Sequence, residues 1–207
     1  MKLYVNGDSH AAGAELESGK QSFAEIVAEY FGLTLVNQAR GGCSNSRIIR
    51  TSKEWLEHHD AALVLIGWST WEREEWMYGN QWYQINVGAF DTLPVPLRQR
   101  YRQWVTETSR EKMMNQGSEW HDNIYNWHKE INQPHVFFNT MFSFFCDKQQ
   151  EWDASFLDPY SAENSYYWYL KNKNIKTVTK QSYHYGAEGH RVWADRLIQH
   201  IEQNNLL

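Results

Sequence analysis

Lys2-Leu3-Tyr4-Val5-Asn6-Gly7-Asp8-Ser9 reads as a short buried strand, punctuated by Gly7, that hands the chain to a polar turn leading toward Gly13. The turn places a serine hydroxyl at the carboxyl end of the first strand, the edge where open α/β sheets collect their ligands. A serine exposed there needs a base to take its proton. Tyr183-His184-Tyr185-Gly186-Ala187-Glu188-Gly189-His190, near the other terminus, offers one.

Strand and helix signals alternate outward from that stretch. Ser22 and Glu25 have the spacing of a capping box, and Phe23, Ile26, Val27, Tyr30 and Phe31 form a helical apolar stripe that Gly32 ends. Leu33-Thr34-Leu35-Val36 predicts a second strand. Ile48, Ile49, Ser52, Trp55 and Leu56 predict a helix starting near Asn45 or Ser46. Ala61-Ala62-Leu63-Val64-Leu65-Ile66 is an uninterrupted apolar run of the kind buried on both faces. Residues 71–96 predict an irregular insertion, 97–114 a helical composition and 120–131 a further helix. His135-Val136-Phe137-Phe138-Asn139 predicts a fourth long strand, 162–171 a short helix, and 175–179 a last strand or extended segment. Ala194, Leu197, Ile198 and Ile201 stripe a closing helix. The alternation predicts an α/β fold: three layers, α/β/α, around a central, mostly parallel five-stranded sheet. One domain spans 1–207, with an aromatic-rich insertion at about 70–119.

Composition narrows the partners. A chain of 207 residues suits one domain with a full core. The formal net charge of −5 gives no electrostatic footprint for nucleic acid. No apolar run reaches about 18 residues, so no membrane span is expected. The N-terminus enters a strand directly, without the basic and apolar regions of a signal peptide. Cys43 and Cys146 form neither a disulfide framework nor a zinc pattern, which predicts a reducing, cytoplasmic setting. His121 and His128 fall on a predicted helix without a carboxylate cluster, so neither a metal site nor a cofactor is expected. The 11 tryptophans suit core packing, and equally a surface that grips sugars or partners.

Three loops follow the first three predicted strands: Gly7-Asp8-Ser9, Gly41-Gly42-Cys43-Ser44-Asn45 and Gly67-Trp68-Ser69-Thr70. In a doubly wound sheet they share one edge and converge on one pocket. Acyl transfer needs donors for an oxyanion, and Gly42, bare and just before a helix start, has an N–H able to face a substrate oxygen. Asp8 suits a turn residue that bonds its own backbone. Cys43 is a reactive thiol by position alone and suits a small buried residue better. Trp68, Trp71, Trp76, Trp82 and Tyr83 either wall the pocket or pack the insertion onto the sheet. His190 shares a helical face with Ala194, Leu197 and Ile201, which suits a structural role.

Together these motifs resemble the SGNH, or GDSL-type, hydrolases. Gly7-Asp8-Ser9 followed by Gly13 matches the family's first block, Gly42-Cys43-Ser44 its second, and Gly67-Trp68-Ser69 stands where the third has Gly-x-Asn. The segment from His184 to His190 is similar to the final block, His-Pro-Asn-x-x-Gly-His. The resemblance implies a flavodoxin-like SGNH fold with Ser9 as nucleophile and His184 as general base. It places the N–H groups of Ser9 and Gly42, helped by Ser69, in the oxyanion hole, and implies an esterase or carbohydrate O-deacetylase acting on a small-molecule or carbohydrate ester. Trp68, Trp71 and Asn45 are the substrate-binding candidates. The His-Tyr-Gly-x-x-Gly-His ending also resembles SGNH-like proteins of tailed bacteriophages, which would place the chain in a host cytoplasm or a virion.

Two positions depart from the family. Gln181 stands three residues before His184, where the family has Asp, and no Asp or Glu occurs from Asn164 to Tyr183. A carboxylate that orients the base is worth about 10⁴ in rate in a serine protease. The supporting groups within reach by position are Asp8, Gln181, Ser182 and His190. Ser69 offers a hydroxyl of shorter reach than asparagine, and losing one oxyanion donor costs about 10²–10³ in kcat. These departures support a second reading, a catalytically lapsed binding or structural, virion-associated module. A third is an O-acyltransferase, in which a sugar hydroxyl intercepts the acyl-enzyme. The oligomeric state is not fixed by these residues.

Overall fold

The structure is a computed structural model that describes residues 1–144, 146 and 149–207, with the backbone alone at Arg110. In chain order, β1 (Lys2–Gly7), α1 (Phe23–Tyr30), β2 (Thr34–Asn37), α2 (Asn45–Leu56) and β3 (Leu63–Trp68) come first. A hairpin of β4 (Glu74–Tyr78) and β5 (Gln81–Ile85) follows, then a 3-10 turn at Val87–Thr92, α3 (Val95–Glu107) and α4 (Arg110–Glu130). β6 (His135–Asn139), β7 (Phe156–Leu157), α5 (Tyr166–Asn172) and α6 (Ala187–Gln203) complete the order.

Strands lie side by side as β2-β1-β3-β6-β7, and every pairing is parallel. Successive side chains of a strand point to opposite faces, and here both faces are covered. Leu3, Val5, Leu65 and Phe138 pack on one side with Phe23 and Val27 of α1 and Trp193 and Leu197 of α6. Tyr4, Val64, Ile66 and Phe137 pack on the other with Ile48 of α2 and Ile124 and Trp127 of α4. Each such side chain, fully buried, contributes about 1.5–3 kcal/mol. The continuous apolar runs of β1, β3 and β6 thus have one cause: a parallel sheet sandwiched between two helical layers.

Local signals set the helix starts. The Ser22 hydroxyl accepts from Glu25 N while the Glu25 carboxylate accepts from Ser22 N, a complete capping box. His190 Nδ1 of α6 accepts from Phe23 N at 3.1 Å, satisfying a further orphan donor and tying α6 to the head of α1. Ser44 caps α2 through Arg47 N.

Three segments differ from expectation. Residues 71–96 are not irregular: β4 and β5 pair antiparallel across a tight turn at Gly79 and Asn80. This hairpin shares its own cluster with α3, built from Trp76, Ile85, Leu93, Leu97 and Tyr101. The helix expected over 97–114 is two helices, because Thr108 is extended and the Ser109 hydroxyl accepts from Lys112 N to start α4, which continues to Glu130. The fifth strand is Phe156–Leu157, whereas 175–179 stays outside the sheet and makes a single antiparallel bridge, Thr177 with Tyr185. No helix among the described residues is long and apolar enough to cross a membrane.

Candidate active site

β1 and β3 run together to their ends, where Gly7 stands opposite Gly67. At a φ of +154°, a Cβ on Gly7 would meet Ala11 Cβ at 2.7 Å and the Gly67 carbonyl oxygen at 2.8 Å, so only glycine fits. The chain then coils tightly, with Ala12 N donating to Asp8 O and Ala14 N to Ser9 O, both at 2.9 Å. Ser9 sits half-buried on this turn. A Cβ on Gly41 would lie 3.8 Å from Ser9 Cβ, so the loops after β1 and β2 touch.

Asp8 is fully buried and joins three strand ends. Its Oδ1 accepts from His10 N at 3.0 Å, and its Oδ2 accepts from Thr140 Oγ1 at 3.0 Å and Arg73 Nη1 at 3.2 Å. A buried carboxylate requires such pairing. Arg73 Nη1 also donates to Ser69 Oγ at 2.8 Å. Because that oxygen accepts from Arg73, the hydroxyl proton of Ser69 remains to be donated elsewhere. The Ser69 backbone is gripped in turn by Asn45: Ser69 N donates to Asn45 Oδ1 at 2.8 Å, and Asn45 Nδ2 donates to Ser69 O at 3.1 Å. Asn45 is itself fully buried, so it holds Ser69 in place instead of facing a substrate.

Gly42 has a φ of +70°, a left-handed conformation that suits glycine. Its carbonyl accepts from Asn86 Nδ2 at 2.7 Å. Among the described residues, neither the Gly42 N–H nor the Ser9 N–H has an acceptor. Unpaired backbone donors on adjoining loops are what a developing oxyanion requires.

His184 comes from the loop before α6. Its Nδ1 lies 3.0 Å from Glu15 Oε1. The Ser182 hydroxyl donates to Glu15 Oε2 at 2.6 Å and accepts from His184 N at 2.9 Å. These hydrogen bonds, Ser182 first and His184 second, hold the Glu15 carboxyl below the usual carboxylate range. Gln181 is exposed and makes no hydrogen bond among the described residues. With Nδ1 engaged, Nε2 has no hydrogen-bond partner among the described residues. The Ser9 hydroxyl makes no hydrogen bond to His184 among the described residues.

Two more histidines line this region from behind. His190, whose Nδ1 accepts from Phe23 N, is pushed down to about 4 by burial and serves as a neutral acceptor. His10 is buried, its ring 5.2 Å from that of His184 between centroids, and burial pushes it down as well. The Cys43 thiol donates to Gly7 O and is pushed up to about 12 by burial, which leaves it a packing residue. Trp68, expected to contact substrate, is only 1% exposed and packs edge-on against Trp127 and Phe137. Its ring belongs to the core because β3 ends inside the layer formed by α4. Trp71 stacks on Phe144 with ring centroids 5.1 Å apart.

A cavity of about 830 Å³ opens beside this edge, lined by Gly42, Arg73, Asn86, Tyr101, Trp104 and Tyr183 among others. Tyr101 and Trp104 of α3, with Tyr183, supply its aromatic wall. Sequence reasoning missed Arg73, Asn86 and Glu15. The first two lie in the segment read as irregular, and Glu15 meets His184 only through the fold.

Fold and edge together define the class: a three-layer α/β chain with a candidate nucleophile at the end of its first strand and a candidate base before its last helix. No protein-family model matches the chain, and no curated protein does. The fold is a three-layer α/β/α arrangement around a parallel five-stranded sheet, and it is shared with solved esterase structures. Among solved structures, a carbohydrate esterase whose active site displays divergent catalytic and non-catalytic binding functions matches with a TM-score of 0.51 and 13% identity. The match covers 98% of this chain and 64% of that one, so this chain spans under two thirds of that protein. A psychrotrophic esterase, EstA, from Pseudoalteromonas sp. is also similar, at a TM-score of 0.48 and 10% identity over 98% of this chain and 97% of that one. So is a lipolytic protein of the G-D-S-L family from Veillonella parvula DSM 2008, at 0.48 and 10% over 96% and 97%.

Proposed function

We propose that the protein hydrolyses carboxylic esters through an acyl-enzyme, with Ser9 as nucleophile and His184 as base. The observation that carries this reading is the pair of unpaired N–H groups at Ser9 and Gly42, on loops that touch where Gly41 meets Ser9. Ser9 Oγ attacks the acyl carbon as its proton passes to His184 Nε2, and the carbonyl electron pair moves onto oxygen. That oxygen receives the two N–H groups and the Ser69 hydroxyl. Collapse breaks the bond to the alcohol, which leaves with the proton held on Nε2. Water then attacks the acyl-enzyme in the same way, releasing the acid and returning the proton to Ser9 Oγ. These steps need no cofactor.

The aromatic wall of the cavity, Tyr101 and Trp104, supports a substrate with a sugar ring or an apolar group to stack there. A carbohydrate O-deacetylase fits this wall, and an O-acyltransferase would use the same acyl-enzyme with a sugar hydroxyl in place of water. One observation favours a non-catalytic binding module instead: the Ser9 hydroxyl is not bonded to His184. Turnover of p-nitrophenyl acetate by the wild type beside Ser9→Ala separates the two. The hydrolase reading expects turnover that vanishes in the variant; equal rates in both would remove it.

A further inference from the structure

We propose that Glu15 is the carboxylate that orients His184, completing a Ser9–His184–Glu15 triad whose acid comes from the nucleophile's own turn. This rests on the reading of Ser9 and His184 given above and deepens it. A base that takes a proton on Nε2 must carry its own proton on Nδ1, and an acceptor facing Nδ1 fixes that tautomer and stabilises the imidazolium. Glu15 Oε1 faces Nδ1 at 3.0 Å. The acid is itself positioned, because Ser182 donates to its other oxygen at 2.6 Å and ties that contact to His184 N at 2.9 Å. Its backbone φ of +63° is left-handed, a conformation that residues other than glycine adopt rarely.

The competing groups are accounted for. Gln181, at the position of the family's acid, is exposed and makes no hydrogen bond among the described residues. Asp8 is the other carboxylate of the turn, and its oxygens are taken by His10 N, Thr140 and Arg73. Glu15 therefore stands where the missing acid would act, reached from the first loop instead of the last. Its side chain is 46% exposed, so its field is screened more than that of a buried acid, and its contribution falls below the full serine-protease value.

The test measures p-nitrophenyl acetate hydrolysis by the wild type, Glu15→Gln, Glu15→Asp and Ser9→Ala, together with ¹⁵N NMR of the His184 ring in the wild type and Glu15→Ala. Glu15→Gln is expected to lower kcat by about 10²-fold with KM within about twofold, and Glu15→Asp to recover part of the loss. The His184 ring is expected to carry its proton on Nδ1 in the wild type and to shift toward the Nε2 tautomer in Glu15→Ala. If Ser9→Ala is dead while Glu15→Gln keeps kcat within about threefold, the triad is overturned and the hydrolase reading stands. If Ser9→Ala matches the wild type, the hydrolase reading fails. The NMR result then judges Glu15 alone, and an unchanged tautomer overturns its role.

Discussion

Arg73 Nη1 stands 3.2 Å from Asp8 Oδ2 and is the one cationic partner of a carboxylate that is only 1% exposed, among the described residues. The same nitrogen donates to Ser69 Oγ. One guanidinium thus balances a buried charge and sets a hydroxyl at the strand-end pocket. Replacing it by Arg73→Met strips the cation from Asp8, and breaking such a pair from one side costs on the order of 3 kcal/mol. Urea unfolding should show that loss, and Asp8→Asn combined with Arg73→Met should recover part of it. A midpoint unmoved by Arg73→Met would contradict this assignment.

Stability should fall on acidification, and the sign follows from buried imidazoles. His10, His128, His135 and His190 are all pushed below the ordinary histidine value, chiefly by burial, His190 to about 4. The folded chain keeps them neutral while the unfolded chain takes up protons near pH 6.5. Their contribution is therefore complete above that pH and is lost as pH falls toward the folded values. His190 alone should cost about 2 kcal/mol by pH 5. Denaturant midpoints at pH 7.5 and pH 5 check this; an equal or higher midpoint at pH 5 would refute it.

Gly7→Ala should distort the serine turn. The added methyl meets Ala11 Cβ and a backbone oxygen, neither of which is a flexible side-chain end. Overpacking of this kind typically costs about 1–3 kcal/mol, and the displaced turn carries Ser9 with it. The urea-unfolding midpoint and p-nitrophenyl acetate turnover should both decline together.

Ser69→Ala removes a hydroxyl that Arg73 and Asn45 hold in place without removing any catalytic proton carrier. The expected loss is about 10²-fold in kcat, with KM little changed. A KM effect alone would move Ser69 from the oxyanion to ordinary substrate binding.

The strand ends at Ser9, Gly42 and Ser69 are legible in the sequence because apolar runs and glycines mark where a parallel sheet delivers its loops. The capping box at Ser22 is equally legible, since its signal lies within four residues. The hairpin was readable in principle: Gly79-Asn80 between two strand-length runs is a two-residue turn signal. Its charged and aromatic residues disguise the runs. β7 has only two residues, too few to show a period. Glu15 and Arg73 carry no local signal at all. Each is identified by a partner far away in sequence, His184 for one and Asp8 for the other, and the fold alone brings them together.

The central claim is that Ser9 is an activated nucleophile, and covalent labelling tests it most directly. A fluorophosphonate probe should add one adduct to the wild type, mapped by mass spectrometry to Ser9, with no adduct on Ser9→Ala and slower labelling of His184→Ala. An unlabelled wild type, or an adduct that persists in Ser9→Ala, would contradict the account.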